Sequence, residues 1–95
     1  MVPIAIVPWG SEPIVEWDED NEAHIARHGV ASWEVEEMIS QGEYECFRHP
    51  KWRNNRKYAN RFLLHGRTLG GRPLLVVIER VGQERLRPVT AWEDR

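Results

Sequence analysis

The sequence predicts an α+β domain in which two N-terminal helices pack on one face of a small, mainly antiparallel twisted sheet. Three observations carry this. Helical periodicity with recognisable caps is confined to residues 18–42. From residue 44 onward the pattern changes to β-rich runs separated by glycine turns. At 95 residues and 41% hydrophobic composition, the chain has the material for one modest core and no more.

Residues 1–13 contain Pro3, Pro8 and Pro13 and are read as an N-terminal extension outside the core, with residues 14–95 forming the single domain. Ile14 to Trp17 alternates as a short strand. Asp18 is a helix N-cap, and Glu19 and Asp20 put negative charge in the first turn, where free backbone N–H groups favour it. That helix runs to about His28, and Gly29 supplies the left-handed residue that ends it. Ser32 is read as the second N-cap, with Trp33 to Gln41 helical, Val35, Met38 and Ile39 inward, Glu34, Glu36 and Glu37 in water, and Gly42 closing the helix.

The strands follow. Tyr44 to Arg48 is short; Lys57 to His65 is longer and alternates Phe62 and Leu64 against Leu63 and His65. Gly66 to Gly71 has the chemistry of a hairpin turn. Pro73 to Arg80, built on Leu74-Leu75-Val76-Val77-Ile78, is the central strand, and Arg85 to Ala91 the last, where Pro88 marks an edge or a bulge because it has no N–H for a ladder. Of the five tryptophans, Trp17 and Trp33 are assigned to the core.

Charge is divided along the chain. Met1 to Glu45 carries a net −10 and Cys46 to Arg95 a net +8. In the basic half, Arg48-His49-Pro50-Lys51-Trp52-Arg53-Asn54-Asn55-Arg56-Lys57-Tyr58 holds five permanent cations, a histidine and two aromatics with no acid. Cations that neutralise phosphates, interleaved with rings that stack on bases, suit a single-stranded nucleic acid, so Lys51, Trp52, Arg53, Arg56 and Lys57 are candidate RNA contacts. A solvated loop has the same composition.

The aliphatic run Leu74 to Ile78 is far short of the ~20 residues of a membrane span, so no membrane partner is expected. One cysteine, Cys46, makes no internal disulfide, in keeping with a cytoplasmic location, and reads as a small buried apolar side chain. His24 and His28 stand four apart on one helix, the spacing of two metal ligands, but no third ligand is marked by spacing and no metal or other cofactor is expected. His28 has two readings: an imidazolium at the negative end of the helix dipole, or a proton-transfer group. Arg61, Arg80 and Arg87, on or beside neighbouring strands, are candidates to converge on a phosphate; the alternative is that each pairs with a nearby glutamate. No phosphate-binding loop, nucleophile elbow or zinc-spaced cysteine set is present.

Glu16-Trp17-Asp18, Asn21, Arg27-His28-Gly29-Val30, Arg61, Gly66, Gly71-Arg72, Leu74-Leu75-Val76-Val77 and Arg87-Pro88-Val89-Thr90-Ala91 occur in an order that resembles the BrnT-type toxins of type II toxin–antitoxin systems. The resemblance spans residues 14 to 92. It implies a RelE-like fold, metal-independent ribonuclease activity, and a cognate DNA-binding antitoxin that neutralises the toxin. The family commonly has lysine where this chain has Arg27, a basic residue where it has Trp92, and often a further C-terminal helix.

Two functions are therefore expected to compete. One is an endoribonuclease toxin in which the ribose 2′-OH attacks the adjacent phosphate, with His28 moving the proton, Arg61, Arg80 and Arg87 stabilising the phosphorane, and Arg27 assisting the basic loop. The other is a non-catalytic module that binds RNA or protein. Assembly as a homo-oligomer or a toxin–antitoxin hetero-oligomer fits either.

Overall fold

The computed structural model describes residues 2–41 and 43–94. It is an α+β domain of two helices and a five-stranded mixed sheet. In chain order the elements are β1 (Ile14–Val15), α1 (Glu19–Arg27), α2 (Ser32–Ser40), β2 (Glu43–Arg48), β3 (Arg61–Arg67), β4 (Pro73–Gly82) and β5 (Arg85–Glu93), with a 3-10 turn at Arg56–Tyr58. The sheet order is β1-β5-β4-β3-β2, so the apolar run of β4 is central as its composition requires. All pairings are antiparallel except β1 with β5.

Helix α1 begins where its sequence says. The Asp18 carboxylate accepts the Asn21 N–H at 2.9 Å, and the Asn21 side-chain oxygen accepts the Asp18 N–H at 2.8 Å, so two helix-end donors are satisfied reciprocally. The amide of buried Asn21 then donates to the carbonyls of Glu16 and Pro88, fixing the helix start to β5. Gly29 terminates the helix at φ +77°, a conformation in which a Cβ is strained. Helix α2 starts one residue earlier than its sequence suggests. Ala31 is the N-cap, and its N–H is satisfied by the Glu34 carboxylate at 3.0 Å rather than Ser32 capping from its own side chain. The expected closure at Gly42 lies outside the described residues.

Ile25, Val35 and Met38 from the helices meet Phe62, Leu64, Leu74, Val76, Ile78, Leu86 and Ala91 in one cluster, leaving the other sheet face free of helices. Three expectations are corrected here. The segment before β1 is not wholly outside the core: Trp9 is 1% exposed and lies edge-on to Phe62 with ring centres 5.2 Å apart, and Ile4 bridges to Cys46. Trp33 is not core, being 61% exposed. Glu34 does not face water; it is buried and accepts both of its bonds from Arg72 Nη1, at 2.6 and 2.8 Å.

Arg72 also donates from Nη2 to the Gly29 carbonyl and from Nε to Glu93, tying the β3–β4 turn to the junction between the helices and to the end of β5. Both carboxylates, Glu34 first, hold its charge on more firmly than usual. Arg72→Ala strands the Glu34 carboxylate in a mostly dry position. We expect a loss of about 2 kcal/mol in urea unfolding, below the usual cost of breaking a fully buried pair because the guanidinium is partly wet.

The strand expected over 57–65 is divided. Arg56–Tyr58 is a 3-10 turn capped by Asn55, and β3 starts only at Arg61, then runs on through Gly66. At Gly66 no side chain fits, since a Cβ would stand 2.1 Å from the Glu43 carbonyl oxygen. Pro88 sits at a bulge, and β1 pairs with β5 only at Arg85 and Leu86, so no strand flanks it on that side: Val77 pairs with Thr90 but Ile78 with Pro88, and Val89 is the extra residue. Cys46 is buried, and desolvation pushes its thiol up to about 12. In alkylation at neutral pH we expect it to react only on unfolding.

Candidate nucleic-acid interface

Strand alternation decides which charged groups share the open face. Opposite the core lie three cross-strand rows: Arg61, Glu79 and Arg87; then Leu63, Val77 and Thr90; then His65, Leu75 and Trp92. The first row places a carboxylate between two guanidinium groups in direct register. Arg61 Nε is 3.4 Å from Glu79 Oε2. Arg87 turns outward to Asp18 at the N-cap of α1, with Nη2 at 2.8 Å and Nε at 3.2 Å from the same oxygen. The Asn21 N–H, and after it Arg87, hold the Asp18 carboxyl below the usual range.

Arg80 does not join them. It is paired with buried Leu86 in the register and belongs to the core-side face, where its guanidinium donates to the carbonyls of Pro8, Gly82 and Gln83. Its charge closes the β4–β5 hairpin and fastens the N-terminal segment. The expected convergence of three arginines therefore reduces to two, each already paired with a carboxylate.

His28 is also displaced from its expected place. Arg87 is held at the N-cap of α1 and His28 is the C-cap, about 15 Å away along the helix at a rise of ~1.5 Å per residue. The histidine that touches the sheet is His24, whose Nε2 is 3.1 Å from the Thr90 hydroxyl in the row next to Arg87. His28 packs beside it, ring centres 5.2 Å apart, with Trp92 6.5 Å beyond. Arg27 is exposed in the last turn of the same helix. Glu79 and Thr90 were missed as site residues because nothing local marks them, and His24 is marked in the sequence only by its spacing to His28; only the pairing of strands and the docking of α1 on β5 brings the three together.

The basic loop is assembled much as its composition suggests. Backbone turns close at His49–Trp52 and Lys51–Asn54. His49 stacks on Tyr58 at 4.2 Å and 12°, and the cations of Arg48 and Arg53 lie 4.3 and 5.0 Å from the Trp52 ring centre. Lys51 and Lys57 flank Tyr58. Among the described residues, none of the exposed cations Arg48, Lys51, Arg53, Arg56 and Lys57 is ion-paired with a carboxylate. A groove passes between Ile4 and the segment holding Arg48, Pro50 and Trp52.

Loop and row are contiguous. The His49 N–H bonds the Arg61 carbonyl, and the Arg61 guanidinium lies 5.5 Å from the Tyr58 ring centre. Burial, and then the Arg61 and Lys51 charges, lower the His49 pKa below 6.5, so this imidazole is neutral at pH 7. The unfolded chain thus takes up the proton first as pH falls, and native stability declines below about 6.5 through this residue. His49→Gln should flatten urea-unfolding stability between pH 6.5 and 5.

Among the described residues no helix is long and apolar enough to cross a membrane, and no three histidine, cysteine or carboxylate side chains are grouped to hold a metal ion. Comparison of the chain with family models, curated proteins and solved structures finds no match.

Proposed function

We propose that the protein is an RNA-cleaving toxin that works without a metal, gripping a single strand with the basic loop and breaking its backbone over the open sheet face. The observation that carries this reading is the Arg61–Glu79–Arg87 row, in register on an uncovered face and contiguous with five unneutralised cations. The resemblance to BrnT-type toxins points the same way, and with it a RelE-like fold and a cognate antitoxin as partner.

In this reading the scissile phosphate sits over the row. Arg61 and Arg87 exchange their carboxylates for phosphate oxygens and stabilise the dianionic phosphorane. Glu79, released between them, takes the 2′-OH proton. His24, held at Thr90 in the neighbouring row, returns a proton to the departing 5′-oxygen, with His28 one turn behind. Trp52 and the His49–Tyr58 stack present ring faces to bases.

A second reading, binding without cleavage, is favoured by one observation: both row arginines are already occupied by Glu79 and Asp18. Purified protein incubated with single-stranded RNA and a chelator separates the two. Cleavage leaving 2′,3′-cyclic phosphate ends, together with growth arrest on expression that the product of a neighbouring gene relieves, supports the first. Stable binding with intact RNA supports the second. In both, Lys51→Ala and Lys57→Ala should each reduce the slope of log affinity against log salt by about 0.7, measured by fluorescence anisotropy.

A further inference from the structure

We infer that His24 and His28 form a two-histidine chelate for a divalent transition-metal ion at the C-terminal end of α1. The two residues are four apart on the helix, so their rings leave it on one face in successive turns. Their ring centres are 5.2 Å apart. A zinc ion about 2.1 Å from one nitrogen of each imidazole, at a tetrahedral angle, sets the ring centres roughly 5 Å apart, so the pair needs ring rotation rather than backbone movement to bind.

Three surrounding features favour a cation there. The last carbonyls of α1 present the negative end of the helix dipole, and His28 is the C-cap. The Thr90 hydroxyl, 3.1 Å from His24 Nε2, can accept that ring N–H and so leave Nδ1 as the nitrogen free to bind a metal. Asp20, exposed four residues before His24, adds negative charge on the same side of the helix.

The chemistry selects the ion. Neutral imidazole nitrogens suit Zn²⁺, Ni²⁺ and Cu²⁺ and discriminate against Mg²⁺ and Ca²⁺, which prefer oxygen. No third histidine, cysteine or carboxylate is grouped with the pair among the described residues, so water fills the remaining positions. Such a site is open and exchangeable, with a regulatory rather than a structural character. Resting on the ribonuclease reading, occupation withdraws the imidazole next to the Arg61–Glu79–Arg87 row from proton transfer, so the metal inhibits a reaction that does not need it.

The test is calorimetric titration of tag-free protein with zinc sulfate, repeated with copper, nickel and magnesium salts and followed by thermal melting. One Zn²⁺ per chain, Cu²⁺ tighter than Zn²⁺, no response to Mg²⁺, and a rise in melting temperature with zinc are expected. His24→Gln and His28→Gln, both at a partly or fully exposed position, should each weaken zinc binding roughly 100-fold, the loss of a second tethered ligand. Absence of zinc binding by the wild type, or zinc binding by either variant as tight as the wild type's, overturns the site. Zinc inhibition of RNA cleavage is a separate arm: if the protein cleaves no RNA, the proposed function fails while the titration still decides the metal site.

Discussion

Trp9→Ala is expected to destabilise the protein by about 3 to 5 kcal/mol, the range for removing a large buried aromatic. Its side chain is 1% exposed, packs edge-on against Phe62, and roots a segment that includes Ile4 on β2 and the Pro8 carbonyl on Arg80. For a domain of this size, whose whole stability is on the order of 5 to 15 kcal/mol, such a loss lowers the melting temperature by roughly 15 to 30 °C. Trp9→Phe provides an internal control. The indole N–H is buried without an acceptor, which itself costs about 1 kcal/mol or more. The Tyr44 hydroxyl is close enough for the indole to offset part of the rise that burial imposes on its pKa, but the two fall short of hydrogen-bond geometry. Phenylalanine removes the orphan donor along with the extra volume, so its cost should stay below about 1.5 kcal/mol. If urea unfolding of Trp9→Ala matched the wild type within 1 kcal/mol, the N-terminal segment would not be part of the folding unit.

Arg87→Ala should reduce RNA cleavage by about 10² to 10³ in kcat, the usual loss for one electrostatic donor to a developing oxyanion. Arg61→Ala should fall in the same range, because the two flank Glu79 symmetrically in the register. Arg80→Ala should leave the rate constant unchanged in the folded fraction while lowering stability, since its donors serve three backbone carbonyls on the other side of the sheet. That contrast separates a positional from a merely cationic effect: net charge changes equally in all three variants. Single-turnover kinetics at saturating protein reads it directly, and an Arg80→Ala rate as poor as that of Arg87→Ala contradicts the proposed site. Asp18→Asn adds a check on Arg87, since it releases the guanidinium from its resting partner without removing it.

Much of the architecture was readable because it is written in local chemistry. Asp18, the acidic first turn and Gly29 delimit α1 without help from the rest of the chain, and the aliphatic run of β4 requires a central strand. The errors share one cause. Glu34 was placed in water because its partner, Arg72, lies 38 residues on; Trp33 and Trp9 exchanged places between surface and core because hydrophobicity does not say which side of an element is covered. Ser32 lost the capping role to Ala31 because a carboxylate one turn into the helix already satisfied the donor.

The candidate site divides in the same way. The sequence by itself determined the composition of the basic loop, whose cations, aromatics and turn residues are neighbours along the chain and so remain neighbours in space whatever the fold. Only the tertiary structure decided that Arg61 and Arg87 flank Glu79, that Arg80 faces away, and that His24 rather than His28 reaches the sheet. A strand reverses its side chains at every residue, so membership of a face depends on register, and the bulge at Val89 shifts that register by one in the strand that carries Arg87. No single segment contains that information, because it resides in hydrogen bonds between segments.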